Sequence, residues 1–298
     1  MSSTHYLDLN TFLRRKFGCR VQKVSLDAGM SCPNRDGLVG TGGCIYCNRL
    51  GSGTGAYPKQ SIEEQLDFGK RFVRRRYKAE KFIAYFQSFS NTYGPADELE
   101  KLYRRVMADP EIVGLAIGTR PDCVGAEVLD MLERVSREVY VYMEYGLQSA
   151  HDRTLALINR GHDYGAFLDA VRRSRARGID VCVHVILGLP GETREDMLGT
   201  ARAIAGLDIQ GIKVHLLYVS RGTALHEMYS QGRYECLGRE QYVDILCEFL
   251  SILPPGIVVH RVTGDPHKEE IIAPLWALDK QAVRDAIELK LRNMRKKV

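Results

Sequence analysis

The stretch from Ser31 to Asn48 reads SCPNRDGLVGTGGCIYCN. It holds Cys32, then eleven residues, Cys44, two residues, and Cys47. The C-x2-C pair sits in a turn short enough for both thiolates to face one metal centre. Gly37, Gly40, Gly42 and Gly43 let the intervening loop fold back and bring Cys32 to the same centre, because glycine tolerates positive φ. The local ligand count stops at three, whereas a structural zinc site takes four protein ligands. Three thiolates on a [4Fe–4S] cluster leave one iron open to a small molecule, which a purely structural site has no use for. A zinc knuckle completed by Cys19 or a distant histidine is the competing reading.

Outward from this loop, strand-like apolar runs alternate with helical periodicity. The strands are expected at 21–26, 82–86, 113–117, 139–145, 181–187 and 212–218, with one more at 257–262. The helices are expected at 62–76, 98–107, 127–135, 166–177 and 194–205. Repeated strand–helix units with near-continuous apolar strands indicate a parallel sheet covered by helices. Six units suit an α/β fold of the partial (β/α)6 barrel kind, open on one side. Residues 1–225 are assigned to the barrel and 226–298 to a helical C-terminal extension packed on it, ending in an amphipathic basic helix at 279–298.

Hydrophobic residues make up 45% and charged residues 27% of the 298 residues, the balance of a soluble globular chain. No apolar run reaches the roughly 18–20 residues of a membrane span, and no signal peptide is visible in residues 1–10, so the chain is expected in the cytoplasm. Eight cysteines in such a chain point to metal or redox chemistry plus core filling, not to a disulfide framework. The net charge of +5 permits a polyanionic partner without requiring one. The basic segment with Lys70, Arg71, Arg74, Arg75, Arg76 and Lys78 suits phosphate contact, and equally suits the solvated face of a barrel helix; the same holds for the basic tail at Lys290–Lys297.

The chain resembles the radical S-adenosylmethionine (SAM) superfamily over roughly residues 21–225. The three-cysteine loop after the first strand carries the resemblance, together with the fifth-strand run His184-Val-Ile-Leu-Gly-Leu-Pro-Gly191, which is similar to the family's G-x-I-x-G-x-x-G pattern with His184 in place of the first glycine. The runs Glu144-Tyr-Gly-Leu-Gln-Ser149 and Asn159-Arg-Gly-His162 are similar to those of the Elongator catalytic-subunit type of radical SAM domain. The eleven-residue cysteine spacing, with Phe86–Thr92 and Gly118–Cys123, is shared with a short stand-alone family linked to wobble-uridine modification in tRNA.

The resemblance implies that Cys32, Cys44 and Cys47 hold the cluster, and that SAM chelates the fourth iron. One electron from a reductant such as flavodoxin or ferredoxin then releases a 5′-deoxyadenosyl radical. It also implies SAM contacts at Gln87, Asn91, Arg120, Asp122, Glu144, Gln148, Ser149, Ile186, Gly188 and Gly191. Gln148 and Ser149 read equally as a helix N-cap pair, and Arg120 with Asp122 as a local turn. Lys213, His215 and Tyr218 on the sixth strand are the candidate catalytic groups. Lys213 and His215 alternate onto one face, which is either the barrel interior or, for His215, ordinary core. The resemblance implies tRNA as substrate, with carboxymethylaminomethyl converted to aminomethyl at uridine C5. A small metabolite or peptide substrate, and a non-enzymatic metal-stabilised nucleic-acid-binding module, are the alternatives.

Overall fold

The computed structural model describes residues 5–49, 51 and 60–295. In chain order the elements are β1 (Leu7–Asp8), α1 (Leu9–Phe17), β2 (Val21–Leu26), α2 (Ile62–Tyr77), β3 (Lys81–Phe86), α3 (Ala96–Met107), β4 (Ile112–Thr119), α4 (Ala126–Ser136), β5 (Tyr140–Gln148), α5 (Asp152–Leu157), α6 (Tyr164–Arg175), β6 (Asp180–Leu187), α7 (Arg194–Ala205), β7 (Gly211–Leu216), β8 (Val219–Ser220), α8 (Ala224–Ser230), α9 (Arg239–Ile252), β9 (Val258–Arg261), β10 (Ile271–Ala273) and α10 (Lys280–Arg295).

The six expected strands form the body of one parallel sheet, ordered β1-β9-β7-β6-β5-β4-β3-β2. The sheet therefore runs beyond six strands. Residues 226–298 supply β9 beside β7 as well as helices, and the short β1 pairs outside β9. β8 and β10 form a separate antiparallel pair. Strands buried on both faces read as unbroken apolar runs, and here Phe82, Ala84 and Phe86 face the helices while Ile83 and Tyr85 face the barrel interior. Burying a Phe, Leu or Ile of this kind stabilises the fold by about 1.5–3 kcal/mol each.

Helix starts are written locally. Ser61 Oγ accepts from the Glu64 N–H at 3.2 Å while Glu64 returns a 2.7 Å bond to the Ser61 N–H, a capping box that launches α2. Thr193 and Asp196 do the same for α7.

α1, which the sequence reading does not contain, closes the N-terminal end of the barrel. Leu13 packs there against Val21, Ile83, Tyr142 and Cys182, with Phe12 and Tyr140 ring centroids 6.2 Å apart. α1 thus covers the bottom of the interior, and the large cavity opens at the other end, where the strands finish. No helix among the described residues is long and apolar enough to cross a membrane.

Candidate active site

At the C-terminal ends of the strands lies a cavity of about 370 Å³, the usual place for a site on such a sheet. Its rim is the cysteine loop. The Val39 and Gly40 N–H groups both donate to the Pro33 carbonyl, and Gly43 N–H donates to Asn34 at 2.8 Å, folding the loop back on itself. Gly42 and Gly43 take φ of +78° and +77°, which a side chain would strain. The result is that Cys32, Cys44 and Cys47 all line the cavity. The other cysteines do not. Cys19 packs beside the α1 plug at the far end of the barrel, which removes it as a fourth ligand.

The Asn159–His162 run clamps the loop from beneath. Asn159 Nδ2 donates to Gly43 O at 2.8 Å, and Ile45 N–H donates to Ile158 O at 3.1 Å. Arg160, fully inside, bonds Gly146 O through two nitrogens at 2.7 and 3.2 Å and places Nη1 3.6 Å from Cys44 Sγ. Hydrogen bonding with Cys47, opposed by burial and reinforced by Arg160, holds the Cys44 thiol well below its usual value. Arg35 donates to Asn48 O and Cys47 O at 2.5 and 3.3 Å. Neither arginine is among the expected site residues. Arg160 stands inside a quoted run, yet only the folded chain shows which loop it supports.

A Cβ at Gly146 would lie 2.6 Å from both Arg160 Nη2 and Gln148 Nε2, so the E-x-G-x-Q spacing is a packing requirement. Gln148, Phe89 and Asn159 hold positive φ at the mouth, at +77°, +61° and +52°. Such backbone strain concentrates where a ligand is held.

Of the expected SAM contacts, Gln87, Arg120, Glu144, Gln148 and Ile186 line the cavity. Asn91, Asp122, Ser149, Gly188 and Gly191 do not, and each has an internal partner. Asn91 Nδ2 staples Ser88 O and Gly118 O at 3.0 and 2.8 Å. Asp122 forms a two-pronged pair with Arg120 at 2.9 and 2.6 Å, and Arg120 in turn donates to Arg160 O. Ser149 Oγ bonds Glu192 at 2.5 Å and accepts from His151 N–H at 3.1 Å, as a turn-closing hydroxyl does. Gly188 carries the turn after β6 at φ +89°, its carbonyl accepting from Tyr234 OH at 2.9 Å, and Gly191 faces Leu157 at φ +75°.

Lys213, His215 and Tyr218 also line the cavity. Below them Glu144, whose side chain is wholly buried, gathers the interior polar groups. Lys23 Nζ lies 2.5 Å from one carboxylate oxygen; Lys213 and His184, the latter at 2.9 Å, occupy the other. Lys213 also donates to Tyr85 OH at 3.0 Å. Burial alone would raise the Glu144 carboxyl; Lys213, Lys23 and His184 outweigh it and hold the group well below the usual carboxylate range. Burial pushes Lys213 down to about 7, with Glu144 opposing, and pushes His184 down to about 4. Both Glu144 oxygens are thus engaged from within.

The basic end of α2 is far from the mouth. α2 leads into the start of β3, so Arg74–Lys78 lie at the closed end of the barrel, where Arg74 pairs with Glu111 at 2.6 Å. In the tail, Lys290 pairs with Asp244 at 2.7 Å; Lys296 and Lys297 lie outside the described residues.

Comparison with known proteins accords with this geometry. The Radical SAM superfamily pattern matches residues 38–204, more than half of the chain, and the Radical SAM C-terminal domain matches residues 209–293. The chain belongs to the radical SAM superfamily. Its cofactors are those of that superfamily, a [4Fe–4S] cluster and SAM. It is similar to the protein YtqA of Bacillus subtilis, 43% identical over 97% of this chain and 90% of that one. It is also similar to the tRNA uridine(34) acetyltransferase of Dehalococcoides mccartyi, 29% identical over 61% of this chain and 39% of the relative. The structure of the archaeal Methanocaldococcus infernus Elp3 with an N-terminal deletion shares the fold. Its TM-score is 0.67 at 17% identity, covering 91% of this chain and 63% of that one.

The donor set fits these cofactors. Three cavity-facing thiols with cationic Arg160 and Arg35 beside them match the anionic, three-thiolate cluster.

Proposed function

We propose that this radical SAM enzyme acts on tRNA, converting a carboxymethylaminomethyl group at C5 of the wobble uridine to aminomethyl. The observation that carries the reading is a cavity with the three thiols at its rim, Tyr218 on the wall near its mouth, and Lys213 and His215 deeper on the β7 face. The similarity to a tRNA uridine(34) acetyltransferase directs it to this nucleoside.

Cys32, Cys44 and Cys47 would hold the cluster, with Gln87, Arg120, Glu144, Gln148 and Ile186 lining the SAM space. Asn91, Asp122, Ser149, Gly188 and Gly191 act behind these, fixing the turns that present them. Held there and given one electron by a flavodoxin or ferredoxin, the cluster and SAM would supply the hydrogen-atom acceptor and, overall, a two-electron oxidation of the carboxymethyl methylene coupled to cleavage of SAM, so that water would release the two carbons as glyoxylate and leave the nitrogen as aminomethyl. The chain's own part is to admit one base, seat it and exclude water. Lys213 and His215 lie inside the cavity, so a base reaches them only by leaving its stack, at a cost of about a few kcal/mol. Lys213, shifted to about 7, exchanges a proton at Nζ near neutral pH. The neutral imidazole of His215, depressed chiefly by burial, has an Nε2 with no partner among the described residues, placed to meet a ligand.

The test is nucleoside analysis. tRNA from a strain lacking this gene, incubated with reconstituted enzyme, SAM and reductant, is expected to lose carboxymethylaminomethyluridine and gain aminomethyluridine. An unchanged wobble position with SAM cleavage intact would transfer the reading to a metabolite or peptide substrate.

A further inference from the structure

The floor of the cavity contains a cation that neither the cysteine loop nor the interior carboxylate accounts for. Across β5, β6, β7 and β9 the register pairs Gly146 with His184, His184 with Lys213, and Lys213 with Arg261. Residues paired across neighbouring strands project to the same face, so His184, Lys213 and Arg261 form one row facing the cavity. Arg261 joins this row because the β7–β9 pairing slips between Ile212 and Lys213, leaving His260 as an extra residue. Bulges of this kind re-aim side chains beside active sites. His260 is accommodated inside, its ring edge-on to Tyr142 at 5.6 Å and its Nδ1 3.9 Å from Glu144.

The charges in the row are not equally spent. Lys213 is held by Glu144 and Tyr85. Among the described residues, the carboxylate within ion-pair reach of Arg261 is Asp265, at 3.9 Å, and Asp265 is itself closely engaged by Lys280. The Arg261 side chain is 38% exposed, toward the cavity it lines. Next to Lys213 on the same face, His215 presents its unpartnered Nε2. His184 and His215 are both neutral at pH 7, and Lys23 and Lys213 share the single carboxylate of Glu144, so the interior holds a surplus of positive charge that suits an anionic ligand group.

We propose that Arg261, with His215 beside it, is the receptor for the carboxylate of the substrate's uridine side chain, and so the residue that distinguishes substrate from decarboxymethylated product. This rests on the proposed function and deepens it. A guanidinium fork matches a carboxylate in two parallel bonds, and a charge-assisted contact of this kind contributes about 10–100-fold in affinity. Release of product follows from the same contact, because aminomethyluridine carries no anion to fill the site.

The experiment uses cluster-reconstituted protein without reductant, and two anticodon stem-loops that differ only in carrying carboxymethylaminomethyl- or aminomethyluridine. By fluorescence anisotropy the wild type is expected to bind the first about 10-fold or more tightly. Arg261→Met should abolish that preference while leaving the aminomethyl stem-loop, cluster content and SAM binding unchanged, and Arg261→Lys should retain part of it. A preference that survives in Arg261→Met overturns the inference. So does loss of SAM binding in that variant, which would give the cation to the carboxylate of SAM. Wild-type protein that converts tRNA yet shows no preference overturns this inference alone. Wild-type protein that neither converts tRNA nor binds either stem-loop overturns the proposed function with it.

Discussion

Replacing Glu144 with Gln is expected to destabilise the folded chain by about 3–5 kcal/mol, the cost of leaving buried charge without its partner. Gln keeps the shape and some hydrogen bonds but removes the one anion between Lys23 and Lys213. The loss should grow as the pH falls from 8 to 6. In the wild type Lys213 titrates at about 7 in the fold and near the ordinary lysine value when unfolded, so below pH 7 both states hold its proton. In the variant the folded-state value drops further, and the unfolded chain then binds the extra proton across that window. Stability falls with falling pH wherever the unfolded state binds more protons. A second substitution, Lys213→Met, removes one of the stranded ammonium groups and should recover about 1–2 kcal/mol. Urea titrations of the three proteins at pH 6 and 8 measure this. A pH-independent loss under 1 kcal/mol would mean that the interior network is hydrated and carries no stability.

The other large effect is at the rim. Cys32→Ala, Cys44→Ala and Cys47→Ala should each prevent assembly of a centre with about four irons and four sulfides, because a three-thiolate set has no spare ligand. Cys19→Ala should not, since Cys19 packs by the α1 plug, and Cys236→Ala should not, since it lies outside the cavity among Leu155, Ile186 and Tyr234. Arg160→Met removes the guanidinium beside Cys44 and the two bonds to Gly146, so it is expected to lower iron content without abolishing it. Iron and sulfide analysis after anaerobic reconstitution separates these outcomes. One tightly bound zinc per chain, with no cluster obtainable, would contradict the ligand assignment.

The fold was legible in the sequence because its central strands are buried on both faces. Nothing polar interrupts Phe82–Phe86 or Val181–Val183, and the helices between carry a clear apolar stripe. α1 was not legible, because Leu9, Phe12 and Leu13 are followed by Arg14, Arg15 and Lys16, and only closure of the barrel shows what they plug. The cysteine loop announces itself by spacing. The residues behind it do not: Asn91, Ser149 and Gly188 look like ligand contacts in a motif, and in the fold they bond the chain's own turns. Arg261 escaped for a different reason. Period-two alternation assumes an unbroken ladder, and the one-residue slip at His260 changes which side chains of β9 share the Lys213 face.

The proposed tRNA chemistry requires a 5′-deoxyadenosyl radical to take its hydrogen from the wobble-uridine side chain. It is tested most directly with tRNA deuterated in the methylene of the carboxymethyl group, incubated with enzyme, SAM and reductant, followed by mass analysis of the 5′-deoxyadenosine released. Deuterium in 5′-deoxyadenosine, rising in step with aminomethyluridine, is the predicted result. 5′-Deoxyadenosine formed without deuterium, beside unaltered tRNA, would contradict it.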